Sequence, residues 1–166
     1  MDRAVIIGTY ESLGFYFCTS LLEEGYEVTG IHYRNTNEEL LEGKRMEIGR
    51  NANFQEQFFK EWLPFAEIQV QTLIIIDFNY FQLRNSSFSK EISNFLEKFL
   101  IHNEKKIKDT HSKVICLLPF ECHESTNEVF NRIIQNVEAN NYQYLYFSRE
   151  KDMKKESIKD LIEGVF

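Results

Sequence analysis

Three cysteines in 166 residues are too few, and odd in number, for a disulfide framework. That excludes the stapled scaffolds of small secreted proteins and implies a reducing, bacterial-type cytoplasm. No run of about 18 apolar residues occurs, so no membrane-spanning helix is expected. The N-terminus lacks the pattern of a secretory signal, because its apolar residues read as a strand followed by a helix. Positive charge is in short supply, with 19 Lys and Arg against 26 Asp and Glu, a net charge of −7 and a pI near 5.2. Such a balance repels phosphate polymers, so nucleic acid and anionic membranes are not expected partners. The one basic run, Lys105–Lys108, suits the end of a helix, where cations meet the dipole. Internal repeats, low-complexity stretches and linkers are missing as well, and the length fits a single domain spanning residues 1–166.

What the chain does have is apolar and aromatic surface. Hydrophobic residues make up 43% and aromatics 14%, including fifteen Phe and eight Tyr. A chain of this size can enclose such rings in a core. A share of them is also suited to an interface, with a protein partner or a second copy.

Apolar runs of strand length alternate with stretches of helical period. Expected strands are Arg3–Gly8, Glu27–Tyr33, a short Arg45–Gly49, Leu73–Phe78, Val114–Leu118 and Tyr142–Phe147. Helices are expected over Ser12–Glu24, over the stretch marked by Phe54, Phe58, Phe59, Trp62 and Leu63, and along the stripe Phe88, Ile92, Phe95, Leu96, Phe99 and Leu100. Two further helices are expected around Ser125–Asn140 and Ile158–Val165. Asn35–Gly43 reads as an exposed loop, and Leu73–Phe78, the most hydrophobic strand, is expected at the centre of the sheet. Alternation of this kind predicts an α/β, doubly wound, mainly parallel six-stranded sheet with helices on both faces, in the order 3-2-1-4-5-6.

The first strand–helix turn reads Gly8-Thr9-Tyr10-Glu11-Ser12-Leu13-Gly14. Glycines in such a turn allow a tight bend, close approach of phosphate and close helix–strand packing, and the helix N-terminus then faces a pyrophosphate. Glu11 stands at the middle position and brings a side chain and a negative charge there. Its carboxylate is expected near the helix N-terminus, where the dipole favours it and where it would fill the anion site.

This turn resembles the G-x-x-G-x-x-G of the short-chain dehydrogenase superfamily, in particular its extended branch of nucleotide-sugar epimerases and the related atypical reductases. The resemblance continues in "LLEEGYEVTGIHYRN", "KRMEIGRNANFQEQF", "LIIIDFNYF" and "KVICLLPFE", and it is strongest over the first 35 residues. It implies a Rossmann-type domain with a cofactor cleft around Gly8 to Gly14. At the end of the second strand His32 stands where an acidic ribose-binding residue would be expected, with Arg34 nearby, so a bound cofactor would be NADP more readily than NAD. Arg34 also reads as an ordinary loop arginine. The resemblance further implies a Y-x-x-x-K pair on the helix after strand five, yet no tyrosine in the chain has lysine four residues on. The serine ending strand five is replaced by "LLPFE", and a C-terminal region to cover a sugar nucleotide is not expected.

Asp77, ending "LIIID", has two open readings: a base or ribose ligand in the crevice above the sheet, or a cap for the following turn. Pro119–Glu124, "PFECHE", places Cys122 and His123 after strand five, where a thiol or metal site could be built, though no distant Cys or His pattern completes a ligand set. Cys18 and Cys116 read as core, and His102 and His111 as exposed. Together these features predict a pseudoenzyme, a non-catalytic binding or interaction module able to form a homo-oligomer. The alternatives are an NAD(P)-binding reductase or epimerase-like enzyme, and a thiol or metal enzyme built on Cys122 and His123.

Overall fold

The computed structural model describes residues 3–32, 39–59, 61, 68–78, 87–119 and 142–147. Its strands are β1 (Arg3–Ile7), β2 (Glu27–His32), β3 (Phe54–Phe58), β4 (Thr72–Asp77), β5 (Lys113–Pro119) and β6 (Tyr142–Phe147). Its helices are α1 (Ser12–Glu23), α2 (Glu39–Ile48) and α3 (Ser87–Asp109). Five strands in the order β3-β2-β1-β4-β5 form the body of the sheet, and the backbone of β6 pairs alongside β5. Every pairing is parallel.

The sheet's centre follows from its sequence. Thr72-Leu73-Ile74-Ile75-Ile76-Asp77 is buried at every position, between β1 and β5. A strand covered on both faces has no use for alternation and reads as a continuous apolar run. One face carries α3, whose Ile92, Leu96 and Phe99 pack with Ile7, Ile74 and Ile76. The other carries α1, with Phe17, Cys18 and Leu21 against Ile6, Leu73 and Ile75, and Ile48 of α2 joins this second layer. Layers on both faces make this a Rossmann-like α/β fold.

The end of α1 shows how local chemistry sets an element's length. Gly25 has φ +87°, the left-handed conformation that favours glycine. Its N–H donates to the Leu22 carbonyl at 3.2 Å, and the Tyr26 N–H donates to the Leu21 carbonyl at 3.0 Å. These two bonds close the last turn as a Schellman motif and send the chain into β2.

Two expected elements change identity. Arg45–Gly49 is not a strand: through Ile48 it belongs to α2, where good helix formers surround the sheet-facing Ile48. Glu39–Gly43, expected as loop, is helical too. Phe54–Phe58 is a strand rather than the start of a helix, because pairing with β2 from Val28↔Phe54 to His32↔Phe58 prevails over the four-residue spacing of its rings. The expected helices at 125–140 and 158–165 lie outside the described residues. Among the described residues no helix is long and apolar enough to cross a membrane.

Candidate functional site

The β1–α1 turn stands at the C-terminal end of β1, the side of the sheet on which such folds place ligands. Gly8 has φ +93°, and the N–H groups of Gly8 and Thr9 both donate to the Ile31 carbonyl, at 2.8 and 3.2 Å. The Thr9 hydroxyl donates to the Ile6 carbonyl at 2.8 Å. The Glu11 N–H donates to the Gly8 carbonyl at 2.9 Å. Helix and strand come so close that a Cβ on Gly14 would stand 2.2 Å from the Gly8 oxygen. The outer glycines of the phrase are thus required by the turn itself.

The middle position stands at the start of the helix. Glu11 is the N-cap of α1, with extended backbone at φ −71° and ψ 164°, but its side chain makes no cap hydrogen bond. The helix amide is met instead by Asp77, from the end of β4: the Gly14 N–H donates to Asp77 Oδ2 at 2.8 Å. Asp77 is fully buried. Asp77 thus accepts from an amide in the first turn of α1, 63 residues back in sequence. Among the described residues no backbone acceptor meets the amides of Ser12 and Leu13.

A second cluster gathers where β2 and β3 end. Arg45 of α2 donates from Nε and Nη2 to Glu56 Oε1 of β3, at 2.8 and 2.6 Å. His32 Nε2 lies 3.3 Å from the same oxygen. The His32 ring packs between Tyr10, at 5.6 Å between centroids, and Phe58, at 5.3 Å. Lys44 Nζ donates to the Tyr10 carbonyl at 2.7 Å and lies 5.1 Å over the Phe15 ring. The hydrogen bonds from Glu56 raise the Arg45 guanidinium above its usual range, against the opposing effect of burial.

Tyr10 is buried, and among the described residues its hydroxyl makes no hydrogen bond of good geometry, although the side chains of Arg45 and Glu56 stand close enough to act on it. Burial first, then the negative charge of Glu56, holds its phenol well above the usual range. An unsatisfied hydroxyl contributes no bond that its removal could cost. Tyr10→Phe should therefore leave stability unchanged or raise it slightly, within about 1 kcal/mol. Thermal unfolding of the two proteins checks this, and a loss of several degrees would show that the hydroxyl is bonded in solution.

The structure brings Gly8, Thr9, Tyr10, Glu11, Ser12, Leu13 and Gly14 together with Asp77, and sets His32 against Tyr10. Arg34, Cys122 and His123 lie outside the described residues. Lys44, Arg45 and Glu56 escaped sequence reasoning, because α2 and β3 were expected as other elements. Cys18 and Cys116 are buried, and burial pushes the Cys18 thiol up to about 12 and that of Cys116 higher still, which suits core residues rather than reactive ones. His102 and His111 are exposed, His111 at φ 54°. Among the described residues no group of three or more His, Cys, Asp or Glu is placed to hold a metal.

Several solved structures share this architecture. The Lmo0794 protein of Listeria monocytogenes superposes with a TM-score of 0.56 at 8% identity, over 99% of this chain and 92% of that one. A carbonyl reductase of Pseudomonas aeruginosa PAO1 gives 0.57 at 10% identity, over 99% and 90%. The same kind of reductase in complex with NADP gives 0.55 at 11% identity, again over 99% and 90%. This chain shares their Rossmann fold. No protein-family model matches it, and no curated protein matches it in sequence. Identities of this size establish architecture and leave the chemistry to the site.

Proposed function

We propose that this domain is a non-catalytic binding or interaction module, built on the fold of NAD(P)-dependent reductases but without a working pyrophosphate site. The observation that carries the reading is the buried bond from the Gly14 amide to Asp77 Oδ2, 2.8 Å long. In a dinucleotide-binding turn the positive end of the helix is kept for phosphate. Here a protein carboxylate takes a share of that end, and Glu11 adds a second acidic side chain at its N-cap. Two unit charges 4 Å apart repel by ~1 kcal/mol in water and ~4 kcal/mol where partly shielded. Each such repulsion weakens binding by about fivefold to several hundredfold. The absence of any Y-x-x-x-K spacing supports the same conclusion from the side of chemistry.

One observation favours a second reading, in which NADP or NAD is held. The Ser12 and Leu13 amides meet no backbone acceptor among the described residues, and donors at a helix N-terminus suit a phosphate. Calorimetric titration separates the two. On the proposed reading the natural protein gives no saturable heat with NADP or NAD below about millimolar concentration. Glu11→Gly removes one of the two acidic side chains and is expected to tighten any residual binding by about tenfold. Micromolar binding by the natural protein, unchanged in Glu11→Gly, would show that the turn is a working cofactor site.

A further inference from the structure

The strands of a parallel sheet are ordinarily apolar on both faces, because helices cover both. β3 departs from this. Its residues Gln55 and Gln57 stand on the face that holds Ile74 and Ile76 further along the sheet, as the register shows: Gln55 pairs with Thr29, Thr29 with Val5, and Val5 with Ile74. Along that one row the side chains pass from a fully buried isoleucine, through partly buried Val5 and Thr29, to exposed Gln55. Over the polar end of the row lies a cavity of about 510 Å³, towards the N-terminal ends of the strands and so away from the β1–α1 turn. Its size falls within the ~300–1,000 Å³ typical of small-molecule sites.

The lining states what would fit. Gln55, Gln57 and Gln69 supply carboxamides, each able to donate and to accept, and Thr29 supplies a hydroxyl. Val5 and Ile68 give apolar surface beside them. The two charged residues of the lining, Arg3 and Glu27, bond to each other at 2.9 Å, so the cavity offers no uncompensated charge. The chain's net charge of −7 disfavours an anion further. Donor–acceptor side chains, a partly apolar wall and balanced charge match a molecule with hydroxyls on its edges, carbon on its faces and no charge.

We infer that this cavity on the β2–β3 face is a binding site for a neutral polyhydroxylated ligand of the sugar or polyol class. It is separate from the turn discussed above and stands whether or not a dinucleotide binds there. The specificity arises from paired hydrogen bonds, because a carboxamide covered by a ligand that cannot match it loses its bonds to water without replacement. The site therefore selects hydroxyl-rich neutral molecules over charged ones of the same size.

Nuclear magnetic resonance on the full, nitrogen-labelled chain tests this with D-glucose, D-ribose and mannitol as neutral probes and glucose 6-phosphate as the charged one. The expected result is saturable shifts, at millimolar or lower concentration, in the side-chain amides of Gln55, Gln57 and Gln69 with at least one neutral probe. Gln57→Leu keeps the side chain's bulk and removes its hydrogen bonds, and should weaken that binding at least tenfold. Gln55→Ala, at an exposed position, is the second variant and should weaken it as well while the spectrum stays dispersed. The inference is overturned if none of the three neutral probes gives saturable shifts there, if binding survives intact in both variants, or if glucose 6-phosphate binds more tightly than glucose.

Discussion

Gly14→Ala should lower the melting temperature by about 10 °C. An added methyl would lie 2.2 Å from the Gly8 carbonyl oxygen, far inside contact distance. The obstacle is backbone, and it belongs to a turn already tied to Ile6 and Ile31 by three hydrogen bonds. Helix α1 must then move away from β1, along a face where Phe17, Cys18 and Leu21 are completely buried. Overpacking of this kind costs ~1–3 kcal/mol and more where backbone must shift. At about 2–4 °C per kcal/mol for a domain of this size, a cost of ~3 kcal/mol gives the stated fall. Thermal unfolding followed by circular dichroism measures it, and a fall of less than about 2 °C would mean that helix and strand are not so closely apposed.

Asp77→Ala should cost about 2–4 kcal/mol in urea unfolding, with little change in the slope against denaturant. The substitution orphans the Gly14 amide in a buried place, for ~1–3 kcal/mol, and removes a carboxylate from the positive end of a helix, for up to ~2 kcal/mol. Asp77→Asn keeps an acceptor oxygen while losing the charge, and is expected to cost less than half as much. Equal costs for the two would show that the charge, and not the hydrogen bond, is what matters. Because Gly14 and Asp77 share one bond, their substitutions should not add: the double variant is expected to lose less than the sum of the singles.

The sequence spoke clearly where one physical demand acted alone. A strand buried on both faces must be apolar throughout, so "LIIID" declared both its structure and its central place. Gly25 announced the end of α1 because a left-handed residue there is best met by glycine. It misled where two demands compete. "FQEQF" spaces its rings as a helix would, and its strand identity depends on β2, more than twenty residues away. Once that stretch is read as a helix, α2 is displaced from view, and with it Lys44, Arg45 and Glu56. The glycine turn was legible as a turn. Which carboxylate would face the helix was not, since Glu11 is adjacent in sequence and Asp77 is 63 positions from the amide it holds. Glu11 does stand at the N-cap, and the parallel pairing of β1 with β4 brings a second carboxylate, from far along the chain, to the same helix end.

That same bond bears on how the molecule opens. The first amides of a helix have no partner within it, and helix ends normally exchange their hydrogens through fraying that needs little free energy. The Gly14 amide is bound to a side chain rooted at the end of the most deeply buried strand. For it to meet water, α1 must separate from β4, which is a disruption of the core rather than of a helix end. In hydrogen exchange it should therefore report the stability of the sheet's centre, exchanging as slowly as the amides of Ile74 and Ile75 while Glu23 and Glu24, at the far end of the same helix, exchange early.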